Sequence, residues 1–212
     1  QMCIRDRLYR GVHFTLVVNG NREMDLRDGD GVSRFEKIRD VLRSWANEQS
    51  FRGEDAWSLV THEGEIIRDT NDPRAWLSAL YSYQPNFRAL KSDLTGLESA
   101  LEMMQEGVLP FGTDRTILFI TPPAAPDQLA ALGALAEKAR SAGIHVNVWM
   151  VGDAFYLAND QGRVLVDLAA STGGQFFNYT GSEAIPNPGD LLASLGTVQT
   201  LSYTSAIAET GT

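Results

Sequence analysis

Three continuous apolar segments, rich in β-branched residues, alternate with amphipathic helical segments along this chain. The apolar segments are 12–18, 116–121 and 144–151. Strands that are apolar at nearly every position, instead of at every second position, are typical of a parallel sheet buried on both faces. Helical segments follow the strands in regular alternation. The sequence therefore predicts an α/β fold, a doubly wound and mostly parallel sheet with helices on both faces.

The remaining elements are predicted from apolar periodicity and from capping residues. Ser33 and Glu36 form a capping box, which predicts a helix whose apolar face repeats every three or four residues. Further helices are predicted over 73–81, 97–105, 127–142, 164–171 and 191–195, and further strands over 56–61, 65–68 and 175–179. One domain with a full core suits a chain of this length.

The charge and cysteine content exclude several classes of function. The chain has a formal net charge of −9 at pH 7, so nucleic-acid backbones and anionic membrane surfaces would repel it, and we expect neither as a partner. Its single cysteine, Cys3, excludes an internal disulfide and a metal site built from several thiolates. No run of 18 apolar residues occurs, so this segment contains no predicted membrane-spanning helix.

Both ends of the chain are interpreted separately from the domain. Residues 1–7 resemble a translated transposase end sequence used in preparing DNA libraries, and such a scar is excluded from fold reasoning. The alternative is a genuine N-terminal segment. On the first interpretation the chain is a fragment, residues 1–7 make few or no core contacts, and the domain covers 8–196. Period-two alternation over 198–205 predicts that 197–212 begin a following β-rich module.

Four sequence patterns resemble those of the von Willebrand factor type A (VWA) domain over most of 12–196. They are an apolar strand running into Asn19-x-Asn21-x-Glu23-Met24, the run 94–101 containing Thr95, the strand 117–121 cut off by Pro122-Pro123, and Leu168-Ala169-x-x-Thr172-Gly173-Gly174. Their order and spacing carry the resemblance. It implies the fold predicted above and a function as a module that binds other proteins.

The resemblance also implies where a divalent cation would bind. In VWA domains the first loop, a threonine and an aspartate after the fourth strand converge on one cation at the carboxyl edge of the sheet. Asn19, Asn21, Glu23 and Thr95 stand at four of these positions and Pro122 at the fifth. Neutral amides bring no charge and proline brings no ligand, so Mg²⁺ or Ca²⁺ binding is expected to be weak or lost. We expect instead a loop without a metal ion, held by hydrogen bonds between the asparagine side chains and the backbone.

No catalytic constellation is evident in the sequence. His13, His62 and His145 are far apart, without an evident pairing to a carboxylate, and neither a nucleophile elbow nor a phosphate loop is present. We therefore predict a non-catalytic interaction or adhesion module that presents the loops at the carboxyl edge of the sheet to a protein partner. The alternatives are an α/β enzyme of unknown reaction and an intracellular VWA partner of a motor ATPase. The resemblance favours a bacterial, extracytoplasmic parent protein, secreted or anchored in a membrane.

Overall fold

The computed structural model of the chain describes residues 7–9, 11–48, 55–106, 113–192, 195 and 197–199. Its strands are β1 (Arg7–Tyr9), β2 (Val12–Val18), β3 (Ala56–Thr61), β4 (Gly64–Thr70), β5 (Asp114–Thr121), β6 (Ile144–Val151), β7 (Phe176–Tyr179) and β8 (Thr197–Gln199). Its α-helices are α1 (Arg34–Glu48), α2 (Pro73–Ser82), α3 (Thr95–Glu106), α4 (Leu129–Ser141), α5 (Asp160–Ser171) and α6 (Pro188–Leu192).

Six of the strands form one sheet in the order β4-β3-β2-β5-β6-β7. All neighbouring pairs are parallel except β3 with β4, which form an antiparallel hairpin. The chain passes from β2 outward to β3 on one side and later returns to place β5 on the other. The carboxyl ends of β2 and β5 therefore flank the point where the strand order reverses, which is where open α/β sheets bind ligands.

Helices cover both faces of the sheet, as predicted. Residues of α1, α2 and α6 pack in one core cluster, and residues of α3, α4 and α5 pack in the other. The central strands supply both clusters because successive side chains point to opposite faces. In β2, for example, Leu16 belongs to the first cluster and Val17 to the second, and both are fully buried. The predicted fold class is confirmed.

One helix boundary was predicted well and another was wrong. The capping box before α1 is present, since Glu36 N–H donates to Ser33 Oγ and Ser33 N–H donates to Glu36 Oε2. The last helix was predicted over 191–195 but spans 188–192. Asn187 Oδ1 accepts from the backbone N–H of Gly189, and Pro188 occupies the first helical position. This asparagine–proline start signal begins the helix three residues before the predicted start.

The predictions about the chain ends and the location stay predictions. Strand β1 pairs antiparallel with β8, and Arg7 lies opposite Gln199, so this ribbon includes residues on the outer side of both predicted domain boundaries. Residues 1–6 and 200–212 lie outside the described residues. Within the described ranges, no helix combines the length and apolar character needed to cross a membrane.

Candidate functional site

Asn19 is the first residue after β2, and its side-chain amide contacts its own loop, the segment before α3 and the end of β5. Its Oδ1 accepts hydrogen bonds from the backbone N–H groups of Gly20 at 2.8 Å and Asp93 at 3.3 Å. Its Nδ2 donates to Ser92 Oγ at 2.8 Å and to Thr121 Oγ1 at 3.1 Å. Because a backbone N–H can only donate, these two groups fix the oxygen end of the amide, and the nitrogen end faces the hydroxyls. This buried amide uses its full hydrogen-bonding capacity.

Two glutamines extend this network along the same edge of the sheet. Gln128, just before α4, donates from Nε2 to Ser92 O at 2.8 Å and accepts at Oε1 from the Ala125 N–H at 2.9 Å. Gln161, in the first turn of α5, donates from Nε2 to Ala124 O at 3.0 Å. The backbone carbonyl of Gln161 accepts from the Ala124 N–H at 3.1 Å. The loops after β2 and β5, the segment before α3 and the start of α5 are thus one hydrogen-bonded unit.

An open pocket of about 430 Å³ lies at this edge and includes Asn21 and Glu23 in its lining. Asn21 caps a short 3-10 turn, because its Oδ1 accepts from the Glu23 N–H at 2.8 Å. Glu23 Oε2 lies 3.4 Å from Arg34 Nη1 at the start of α1. The pocket is lined by Asn21, Glu23, Leu90, Lys91, Ser92, Pro123, Ala124, Ala125, Pro126, Asp127, Tyr156 and Gln161. No histidine is among these lining residues.

Thr95 differs from Asn21 and Glu23, which line the open pocket. It is exposed at the start of α3, and its backbone N–H donates to Asp93 Oδ1 at 3.1 Å. It does not line the open pocket, whereas Ser92, three residues earlier, lines the pocket and contacts Asn19. The structure therefore brings Asn21, Glu23 and Ser92 to the pocket. Metal binding by the predicted set stays a prediction.

The orientation of Asn19 bears directly on a cation at this edge. A cation needs an oxygen lone pair directed at it, but both backbone donors occupy the Asn19 oxygen and its NH₂ group points to Ser92 and Thr121. Pro122 is buried and has no ligand atom in its side chain. Among the described residues, no group of three or more His, Cys, Asp or Glu side chains is placed to hold a metal ion. In this arrangement Asn19 offers a cation no free oxygen.

A 3-10 turn after β6, Ala154–Ala158, exposes apolar side chains at the same edge. Phe155 is 70% exposed and Leu157 is 37% exposed. Tyr81 on α2 is a further exposed large hydrophobic side chain. Exposed apolar groups that cluster, instead of being scattered singly, mark contact surfaces.

The backbone of this turn is held firmly. Asp153 caps it, with Oδ1 accepting from the Phe155 N–H at 2.7 Å. Gly162 of α5 lies so close that a Cβ there would sit 2.3 Å from the Tyr156 carbonyl oxygen. Tyr156 packs against the core below and also lines the open pocket. Phe155 therefore projects from a capped turn, next to Tyr156, which lines the pocket.

The expectation that no histidine pairs with a carboxylate was wrong. His13 Nε2 lies 2.9 Å from Asp69 Oδ1, although the ring N–H is poorly aligned with that oxygen. Asp69 sits at an irregularity of β4 with a positive φ of 48°, which strand periodicity does not reveal. Burial lowers the pKa of His13, and the Asp69 carboxylate opposes that shift.

This cluster does not assemble a nucleophile with a base. The Ser58 hydroxyl accepts from the Asp69 N–H at 2.9 Å and lies 3.4 Å from Asp69 Oδ1, so it contacts the aspartate and not the imidazole. His13 and Ser58 are both fully buried, which keeps substrate and water away. A catalytic serine needs its hydroxyl within hydrogen-bond reach of the base and open to substrate.

Several residues of this edge were missed by the sequence analysis. Ser92, Gln128 and Gln161 have no distinguishing spacing or motif, because their partners are distant in the chain. Phe155 carried a weak signal, since it stands two positions after a polar capping residue and belongs to none of the predicted strands and helices. That Phe155 is exposed became clear only from the structure of the turn that Asp153 caps.

Comparisons by sequence find no match to this chain. No protein-family model matches it, and no curated protein matches it either. The similarities found are therefore similarities of structure.

Several solved structures share its architecture. BatB from Bacteroides thetaiotaomicron aligns with a TM-score of 0.58 and 17% identity over 81% of this chain and 92% of that chain. The VWA domain of SpRpn10 aligns with a TM-score of 0.61 and 15% identity over 87% of this chain and 94% of that chain. The manganese-loaded TRAP protein of Plasmodium vivax aligns with a TM-score of 0.60 and 14% identity, covering 94% of this chain and 79% of that chain. At these identities the likeness concerns the fold.

Proposed function

We propose that this chain, which has the VWA fold, is a non-catalytic module that binds another protein at the carboxyl edge of its sheet, without a cation in the contact. The observation that carries the proposal is Phe155, 70% exposed on a firmly held turn beside an open pocket. Aromatic side chains supply most of the binding energy at many protein interfaces. A rigid backbone limits the ordering that binding requires.

The amide network supports a metal-free version of this contact. Asn19 links the loop after β2 to Ser92 and Thr121, so these segments are tied together without an ion. Both links are hydrogen bonds between neutral groups, one partly buried and one buried, and they require no charge neutralisation. The edge is thus organised before a partner arrives.

Replacing Phe155 by serine is expected to weaken partner binding at least about tenfold, the effect of losing an aromatic anchor. Peptides selected from a random display library on the unchanged domain provide the binders, and titration against each variant measures their affinity. Because Phe155 is mostly exposed, its loss should leave the melting temperature nearly unchanged.

Tyr81→Ser is the matched control, since it removes an exposed aromatic side chain from α2 instead. It should leave the affinity of the selected peptides as it was. Selected peptides that depend on Tyr81 and ignore Phe155 would place the binding surface elsewhere and contradict the proposal.

Millimolar Mg²⁺ is expected to leave the melting temperature of the domain nearly unchanged. A ligand that binds only the folded state stabilises it in proportion to ln(1 + [L]/Kd), so an absent or weak site gives little shift. Combining Asn19→Asp, Asn21→Ser, Glu23→Ser and Pro122→Asp restores charge and hydroxyl ligands and should create a response. A clear Mg²⁺ stabilisation of the unchanged domain that Glu23→Ala removes would contradict the metal-free contact.

A further inference from the structure

A second opening at the carboxyl edge, of about 510 Å³, is lined mainly by arginines. We call it the arginine pocket; its lining residues are Arg22, Asp25, Leu26, Arg27 and Arg88. Three guanidinium groups surround one carboxylate there, whereas the whole chain has a net charge of −9. The sign of the charge in this pocket is opposite to that of the protein.

Asp25 neutralises these arginines only in part. Arg88 pairs with Asp25 and is 72% exposed on its side chain. Arg27 Nη2 lies 3.9 Å from the other oxygen of Asp25 and 4.0 Å from Glu36 Oε2, and Arg27 Nη1 donates to Gly31 O at 2.7 Å. Two arginines thus share Asp25. Exposed ion pairs of this kind are weak and are readily exchanged for a better-placed partner.

Arg22 and Lys91 are the free cations of this region. Within the described ranges, the side chain of neither residue makes an ion pair or a hydrogen bond. Arg22 is exposed and lies in the chain between Asn21 and Glu23, which line the open pocket. Lys91 lines that same pocket. The turn 22–25 therefore borders both openings, and a segment bound in one is within reach of the cations of the other.

We infer that the arginine pocket receives side-chain carboxylates of the protein partner, so that the partner is an acidic segment. This rests on the proposed function, because the pocket adjoins the surface assigned there to partner binding. A guanidinium group binds a carboxylate through two parallel hydrogen bonds, a geometry that lysine cannot offer. Opposite charge on the two partners also accelerates their encounter, while the rest of this acidic surface repels acidic proteins that approach elsewhere.

A fluorescent hexaglutamate peptide is the probe, and fluorescence anisotropy at low ionic strength measures its affinity for the whole chain. The double variant Arg22→Gln and Arg88→Gln should bind it at least tenfold more weakly. The matched control, Arg43→Gln with Arg74→Gln, removes the same charge from exposed positions on α1 and α2 and should bind as the unchanged chain does. All four positions are at the surface, so unchanged melting temperatures verify the fold of each variant.

Four results would overturn the inference. The first three are absence of hexaglutamate binding at low ionic strength, an equal loss in the control variant, and abolition of binding by EDTA, which would show that a metal ion binds the carboxylates of the peptide. Displacement of the peptide by inorganic phosphate but not by acetate at the same ionic strength would assign the pocket to phosphate instead. A failure of the proposed function is detected by a different experiment, the binding of display-selected peptides to the Phe155→Ser variant. Those peptides need contain no acidic residue.

Discussion

Replacing Gly174 by alanine is expected to destabilise the domain by about 3 kcal/mol, the upper range for overpacking against a backbone that cannot easily move. A Cβ at Gly174 would lie 2.0 Å from the backbone oxygen of Val146, so either β6 or the segment entering β7 must move. That segment is tied to β6, since Gln175 N–H donates to Asn147 Oδ1 at 2.8 Å and Gln175 O accepts from the Val148 N–H at 2.8 Å. For a domain of this size, thermal unfolding should show a midpoint lowered by roughly 6 to 12 °C.

Gly133→Ala is the control for this substitution. Gly133 lies on the exposed side of α4, and a Cβ there would meet nothing within 4 Å. Alanine in a helix interior is favoured over glycine by roughly 0.5–1 kcal/mol, so this variant should be slightly more stable than the unchanged domain. A Gly174→Ala protein with an unchanged melting temperature would show that the junction between α5 and β7 is not packed as described.

Replacing Asn19 by alanine is expected to cost about 3 kcal/mol, since it removes four hydrogen bonds at a buried position. The loss would leave the N–H groups of Gly20 and Asp93 without their acceptor and the hydroxyls of Ser92 and Thr121 without their donor. Urea unfolding provides the measurement. The variant should also bind the peptides selected on the unchanged domain with lower affinity, because the loops of the edge are no longer tied together.

Two graded variants separate this network role from a general effect of changing an asparagine. Asn21→Ala removes a single capping hydrogen bond from a partly exposed turn and should cost only about 1 kcal/mol. Asn19→Asp keeps the acceptor for both backbone N–H groups and lets the Ser92 hydroxyl donate to its second oxygen, so it should be milder than Asn19→Ala. Equal losses in Asn19→Ala and Asn21→Ala would contradict the central position of Asn19.

Local patterns determined most of the fold. The buried strands and the helix after Ser33 depend on residues within a few positions of one another, so apolar periodicity and capping predicted them. Where a local signal was overlooked, as at Asn187-Pro188, the boundary of α6 was misplaced. The VWA fold was implied by the resemblance of four sequence patterns, and the carboxyl edge is where open α/β sheets place their ligands.

The residues that meet at that edge were decided only by the tertiary structure. Asn19 contacts Ser92 and Thr121, which are 73 and 102 positions away in the chain, because β2 lies beside β5 in the sheet. No sequence pattern distinguishes Ser92 from Thr95 as the contact of Asn19, or sets which end of the amide faces the hydroxyls. The same holds for the pairing of His13 with Asp69. The sequence by itself determined which elements form and where their loops emerge, while packing of distant segments determined which side chains those loops place together.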